Sequence, residues 1–129
     1  MRELRLFKKS EVLAVAASDV LAERPLMKVS DTLTDIAEVV LDTALNLALQ
    51  SMSARHGLPL RTDGERATLD APAFAIVGYG KLGGIEMSYS SDLDIVFLHD
   101  VDEQADTDGA KPLSGMALCT RLAQKVMTL

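Results

Sequence analysis

Two aspartates separated by one residue, Asp92 and Asp94, are the residues of this chain whose type and spacing best suit chemistry. They lead into an apolar run, Ile95 to Leu98, whose β-branched and aromatic residues are typical of a strand. In an extended chain the two aspartates project from one face with their Cα atoms about 6.6 Å apart. Carboxylates so placed repel each other unless a cation lies between them. Mg²⁺, or Mn²⁺ in its place, suits a site between these two aspartates, because such hard cations bind one or two carboxylates together with substrate phosphates.

A glycine cluster ahead of the aspartates suits a phosphate group. Gly83 and Gly84 are expected to leave backbone N–H groups open to an approaching phosphate. Ser91 offers a hydroxyl, and Lys81 either neutralises a phosphate or is a solvated loop lysine. An Asp-x-Asp pair by itself is usually solvated surface, but a double glycine shortly before it makes the pattern more specific. These four residues are therefore candidate phosphate ligands.

The segment from Gly78 to Gly83 also matches the G-x-G-x-x-G fingerprint of dinucleotide-binding βαβ units. A parallel crossover needs a dozen or more residues, whereas eight residues separate Gly83 from Asp92. We therefore expect the apolar runs around Val77 and Ile95 to be buried strands that pair antiparallel. A dinucleotide site and a glycine-rich hairpin without any ligand are the alternatives.

The helical periodicity predicts three helices around this strand pair. One runs from Glu11 to about Glu23 with Ser10 as its N-cap. The longest starts at 29–31, where Ser30 or Asp31 can cap it, and extends to about Arg55, with Gly57 as the residue after its last turn. The last covers 113–129. The predicted fold class is α+β, with helices on a small mixed sheet. We divide the chain into a helical lead-in (1–56), a linker (57–73) and a partial catalytic core (74–129).

The composition excludes several classes of protein. A net charge of -6 over 129 residues argues against a broad nucleic-acid-binding face. No apolar run approaches the roughly 20 residues of a membrane span, and no signal peptide is visible. The single cysteine, Cys119, permits no internal disulfide and indicates a reducing compartment, so we expect a cytoplasmic protein.

Several other side chains have plainer interpretations. Cys119 lies in an apolar helical pattern and is expected to pack in the core. Packing is favoured over nucleotide contact for Tyr79 and Tyr89. His99 shows no partner in the sequence and is expected to be structural or solvated, and the acidic loop 100–108 is expected to be solvated.

The spacing of Gly83-Gly84 and Ser91-Asp92-Leu93-Asp94 resembles the DNA polymerase β-like nucleotidyltransferase superfamily, in which a glycine pair precedes an Asp-x-Asp metal site. A closer resemblance is to the glutamine synthetase adenylyltransferases, and to their C-terminal, adenylyl-transferring half. It is carried by the strings VGYGKLGGIEMSYSSDLDIVFLHD and LAVAASDVLAERPLMKVSDTLTDIAE, which with the residues between them cover most of the chain.

This resemblance implies a polymerase β-like core and an enzyme that transfers AMP from ATP to a tyrosine of glutamine synthetase and removes it by phosphorolysis. It implies Asp92 and Asp94 as metal ligands, and Gly83, Gly84 and Ser91 as holders of the triphosphate. A PII-type nitrogen regulatory protein is the expected regulatory partner.

The superfamily uses a third carboxylate on a later strand, and we expect it in a segment beyond Leu129. The chain is accordingly expected to be a truncated core that is inactive by itself. The alternative is a non-catalytic helical module that binds a regulatory partner, and magnesium-dependent ATP binding separates the two.

Overall fold

The structure is a computed structural model that describes residues 1–21, 25–84, 87–89 and 92–128. Its elements, in chain order, are α1 (Arg2–Val20), α2 (Leu26–His56), β1 (Phe74–Tyr79), α3 (Gly80–Gly83), β2 (Asp94–His99) and α4 (Gly115–Met127). The mixture of helices and a two-stranded sheet confirms the α+β class. Within the described ranges, no helix combines the length and the apolar character needed to cross a membrane.

Helix α1 begins near the first residue, so the prediction of Ser10 as its N-cap is wrong. Ser10 lies inside the helix, where its hydroxyl donates to the carbonyl of Phe7 at 2.8 Å. The preceding residues include Leu, Arg, Glu and Lys, which favour helix, and neither Gly nor Pro interrupts them. The helix therefore extends back through them, and the serine bonds to its own helix.

Helix α2 also starts earlier than predicted. The carbonyl of Pro25 accepts from the N–H of Val29 at 3.2 Å, so the helix begins directly after the proline. Proline is tolerated there because the first helical turn does not use its missing N–H. The helix has 31 residues, and Gly57 follows it with φ +78°, the left-handed conformation predicted for the residue after the last turn.

Strands β1 and β2 pair antiparallel, as predicted. The parallel dinucleotide-binding alternative is wrong, since α3, the helix between them, has four residues. The strands are half-buried rather than buried, with Val96 44% and Leu98 54% exposed. Within the described ranges the sheet consists of β1 and β2, which leaves one edge of each strand without a strand partner there.

The chain forms two compact units. Unit 1 comprises Met1–Thr43 and Val77–Val96, and unit 2 comprises Ala44–Ile76 and Phe97–Leu129. Buried side chains of unit 1 include Val15, Val29, Leu33, Val40, Leu82 and Met87. Those of unit 2 include Ala48, Met52, Phe74, Val101, Leu118 and Leu122. The division into 1–56, 57–73 and 74–129 stays a prediction.

In unit 2, helix α4 is capped by Ser114, whose hydroxyl accepts from the N–H of Ala117 at 3.3 Å. Leu118, Leu122 and Val126 follow at intervals of four and are at most 3% exposed, which makes one apolar stripe. Cys119 is buried beside this stripe, as predicted. Burial, with a smaller contribution from Glu103, raises the pKa of its thiol to about 11.

Two carboxylates of the acidic loop are not simply solvated, contrary to expectation. Asp100 pairs with Arg61 at 2.9 Å, and Asp108 pairs with Arg66 and accepts the N–H of Leu58 at 2.8 Å. The Arg66 guanidinium and this N–H hold the pKa of Asp108 below its ordinary value. Both arginines lie in the segment interpreted as a linker, so these long-range pairs left no local pattern.

Candidate functional site

The candidate site lies in unit 1, where β1 ends and β2 begins. The chain leaves β1 at Tyr79 and turns at Gly80, whose φ of +57° is a backbone conformation that glycine adopts most readily. The short helix α3 follows, and β2 starts at Asp94. The turn and the start of the second strand therefore belong to the same hairpin.

Gly80 lies directly against the carboxylate of Asp94. A Cβ on Gly80 would be 2.6 Å from the Oδ2 atom of Asp94, a separation that real Cβ atoms essentially never show. The absence of a side chain at Gly80 therefore provides the space that this carboxylate oxygen occupies. In the sequence, Gly80 stands out only as part of the G-x-G-x-x-G fingerprint. Its contact with Asp94 spans 14 positions (94 minus 80) and has no local signal.

Two further glycines of the cluster allow close packing within the turn. A Cβ on Gly78 would be 2.9 Å from Cδ2 of Leu82, and a Cβ on Gly83 would be 2.8 Å from the carbonyl oxygen of Gly78. Leu82 is 6% exposed, so α3 folds back and buries it. Part of the glycine pattern is therefore explained by packing alone.

Contrary to expectation, the backbone N–H of Gly84 is not open to a phosphate. Its N–H donates to the carbonyl of Gly80 at 2.9 Å and ends α3. The helical turn thus satisfies this N–H within the glycine segment itself. Gly83 and Lys81 are exposed on this turn, and Ser91 lies outside the described residues.

Both candidate metal ligands are exposed, but only Asp94 lies in β2, because Asp92 precedes the strand by two residues. The expectation that both aspartates lie in the strand is therefore wrong for Asp92. Two exposed carboxylates still supply the hard oxygen donors that Mg²⁺ and Mn²⁺ prefer, and the Gly80 turn leaves one of them uncrowded. Over the described ranges, no group of three or more His, Cys, Asp or Glu side chains is placed to hold a metal.

The structure also shows the surroundings of three further side chains singled out in the sequence, Tyr79, Tyr89 and His99. Tyr79 is 57% exposed, so its predicted packing role is wrong. The hydroxyl of Tyr89 donates to Oδ2 of Asp19 at 3.0 Å, and partial burial and this carboxylate raise the pKa of Tyr89. In unit 2, His99 does have partners, since Nδ1 is 3.4 Å from the N–H nitrogen of Val101 and Nε2 is 3.8 Å from Glu103.

Comparison with known proteins identifies the family. The family model described as glutamate-ammonia ligase adenylyltransferase matches residues 1–129. The chain belongs to this family. A bifunctional glutamine synthetase adenylyltransferase/adenylyl-removing enzyme of Acinetobacter baylyi is 61% identical over 129 residues. Enzymes of the same description from Pseudomonas syringae pv. tomato and Pseudomonas putida are 54% and 52% identical over 129 residues.

The alignments cover all of this chain but only 14% of the Acinetobacter enzyme and 13% of the two Pseudomonas enzymes. The resemblance to the glutamine synthetase adenylyltransferases is thereby confirmed over the whole length of this chain.

Proposed function

We propose that this chain contributes the Asp-x-Asp site of an adenylyltransferase that transfers AMP from ATP to a tyrosine of glutamine synthetase. The observation that carries the proposal is the fit of Gly80 against Asp94, which places an exposed carboxylate beside the glycine turn. Family membership supports the reaction class, because the relatives are described as adenylyltransferases that also remove the adenylyl group. Removal by phosphorolysis belongs to the same proposal, as does a polymerase β-like core around the hairpin.

In this proposal Asp92 and Asp94 hold Mg²⁺ or Mn²⁺. When bound, the cation neutralises charge on the phosphates of ATP. Because Gly80 has no side chain, the Asp94 carboxylate has room beside the turn, where the cation binds in this proposal.

The remaining candidate residues orient the nucleotide. Lys81 is exposed in α3, and in this proposal its positive charge neutralises a phosphate oxygen. Gly83 keeps that side of the turn free of a side chain, and Gly84 ends α3 rather than donating to phosphate. Ser91, as a hydroxyl donor to the triphosphate, completes the proposed set.

We further propose that the activity belongs to a protein of the relatives' length, acts in the cytoplasm and responds to a PII-type protein. The single buried cysteine supports a reducing setting. A third carboxylate outside this chain completes the metal site.

The test is transfer of labelled AMP from ATP to glutamine synthetase by a chain that continues past Leu129 to the length of the relatives. Asp94→Asn should lower the rate about a thousandfold, because the reaction depends on charge placement. Asp31→Asn, an exposed carboxylate on α2, is the matched control and should leave the rate unchanged. Residues 1–129 alone should transfer no measurable AMP. An unchanged rate in the Asp94 variant would refute the proposed site.

A further inference from the structure

Unit 2 contains a groove of about 380 Å³ lined by residues of α2 and α4. Its polar lining includes Ser51, Arg55 and His56 from α2 and Arg121, Gln124 and Lys125 from α4. The volume is within the range of small-molecule sites, roughly 300–1,000 Å³. None of these residues is assigned a part in AMP transfer.

The groove concentrates positive charge in an acidic chain. Arg55, Arg121 and Lys125 line it, and among the residues that the structure describes no Asp or Glu does, although the net charge of the chain is -6. Across the part of the chain that the structure describes, the Arg55 and Arg121 guanidinium groups have no ion pair or hydrogen bond. Neighbouring cations repel each other, so an anion in the groove would relieve that repulsion.

Hydrogen-bonded capping of a helix end does not account for the two arginines. Basic side chains often bind the last carbonyls of a helix, but the carbonyls of Arg55 and His56 in α2 are already occupied. The N–H of Lys111 donates to the carbonyl of Arg55 at 3.1 Å, and the N–H of Gly109 donates to that of His56 at 2.9 Å. Arg121 lies near the middle of α4, six residues before Met127 (127 minus 121), where no helix end requires it.

Two hydrogen bonds hold other groove side chains in place. His56 is 7% exposed, and its Nδ1–H donates to the carbonyl of Lys111 at 2.6 Å, which fixes the ring. The ammonium group of Lys125 donates to the hydroxyl of Ser51 at 2.8 Å, which fixes the charge between α4 and α2. Part of the site is thus ordered without a ligand.

We propose that this groove binds a small phosphate-bearing molecule through Arg55, Arg121 and Lys125. A planar guanidinium group can donate two parallel hydrogen bonds to two oxygens of one phosphate. A carboxylate carries one negative charge and would offset only one of the three cations, so a phosphate is the better ligand. The inference goes beyond adenylyl transfer, because it assigns a second anion site to residues that the transfer reaction does not use.

The test is a titration of the isotopically labelled chain with inorganic phosphate, followed by amide NMR shifts. Ionic strength is held constant with sodium chloride, and EDTA removes divalent cations so that the Asp92 and Asp94 site stays unloaded. Saturable shifts are expected in 51–56 and 121–128. Arg55→Gln combined with Arg121→Gln should weaken binding about tenfold or more.

The matched control is Arg2→Gln with Lys9→Gln, which removes the same charge from exposed positions of α1 and should leave the affinity unchanged. Equal weakening in both pairs, or shifts confined to other residues, would overturn the proposal. So would tighter binding of a glutamate hexapeptide than of phosphate, which would assign the groove to an acidic protein segment. Should the double variant lose its dispersed spectrum, Arg121→Gln alone is measured and must weaken phosphate binding.

Discussion

At the scale of single residues, Gly80 leaves room for the carboxylate of Asp94. Its φ of +57° is strained for any residue with a side chain, and its missing Cβ leaves room for the Oδ2 atom. These two requirements are separable, because Gly64 shares the first (φ +86°) and has nothing within 4 Å of its ideal Cβ position. A pair of alanine substitutions therefore distinguishes backbone strain from contact with the carboxylate.

We predict that Gly80→Ala weakens Mn²⁺ binding about tenfold or more, because the new methyl group displaces a ligand. Gly64→Ala should leave Mn²⁺ affinity unchanged. The free energy of unfolding of both variants should fall by about 1–2 kcal/mol, because alanine is strained in the left-handed backbone conformation. Isothermal titration with Mn²⁺ beside urea unfolding measures both quantities. Equal Mn²⁺ affinities in the two variants would contradict the role given to Gly80.

At the scale of elements, a serine marks the start of a helix only when its hydroxyl accepts from a backbone N–H of the first turn. Ser10, which the sequence predicts as an N-cap, does not cap a helix, whereas Ser114 does, by accepting from Ala117. Ser10 lies inside α1. The difference is not visible locally, because both serines precede helical patterns.

Ser114→Ala should therefore lower the free energy of unfolding by about 1 kcal/mol, since it leaves an N–H of the first turn without its acceptor. Ser10→Ala should change it by less than about 0.5 kcal/mol, because the residue is an exposed position in a helix interior. Urea unfolding of both variants tests this. A larger loss at Ser10 than at Ser114 would show that the helix start is wrongly placed.

The ion pair of Asp108 with Arg66 links the acidic loop to the segment after α2 and makes a pH-dependent contribution. The pKa of Asp108 is lowered in the folded state, so its contribution is present above the ordinary value of 3.8 and is lost as pH falls through the lowered pKa. Asp108→Asn should thus destabilise the protein at pH 6, and the difference should shrink toward pH 3.

Thermal unfolding between pH 3 and pH 6 measures this dependence. Asp106→Asn is the control in the same loop, because the Asp106 carboxylate has no ion pair among residues that the structure describes. Its stability should follow that of the parent protein. A difference for Asp108→Asn that stays constant with pH would mean that the ion pair contributes nothing.

At the scale of the whole molecule, sequence reasoning succeeded where a pattern was local. The length of the link between the apolar runs predicted antiparallel strands, and the glycine after α2 predicted its end. It failed where partners are distant in sequence. Arg61 with Asp100, Tyr89 with Asp19 and Gly80 with Asp94 are separated by 14 to 70 positions and leave no periodic signal.

The central claim is that Asp92 and Asp94 bind a divalent cation beside the glycine turn. The most direct measurement is a Mn²⁺ titration of the labelled chain, followed by paramagnetic broadening of amide NMR signals. We predict broadening centred on 79–84 and 92–96, abolished by Asp92→Asn with Asp94→Asn and retained in Asp31→Asn with Asp35→Asn, two exposed carboxylates of α2. Unchanged broadening in the Asp92 and Asp94 double variant would contradict the claim.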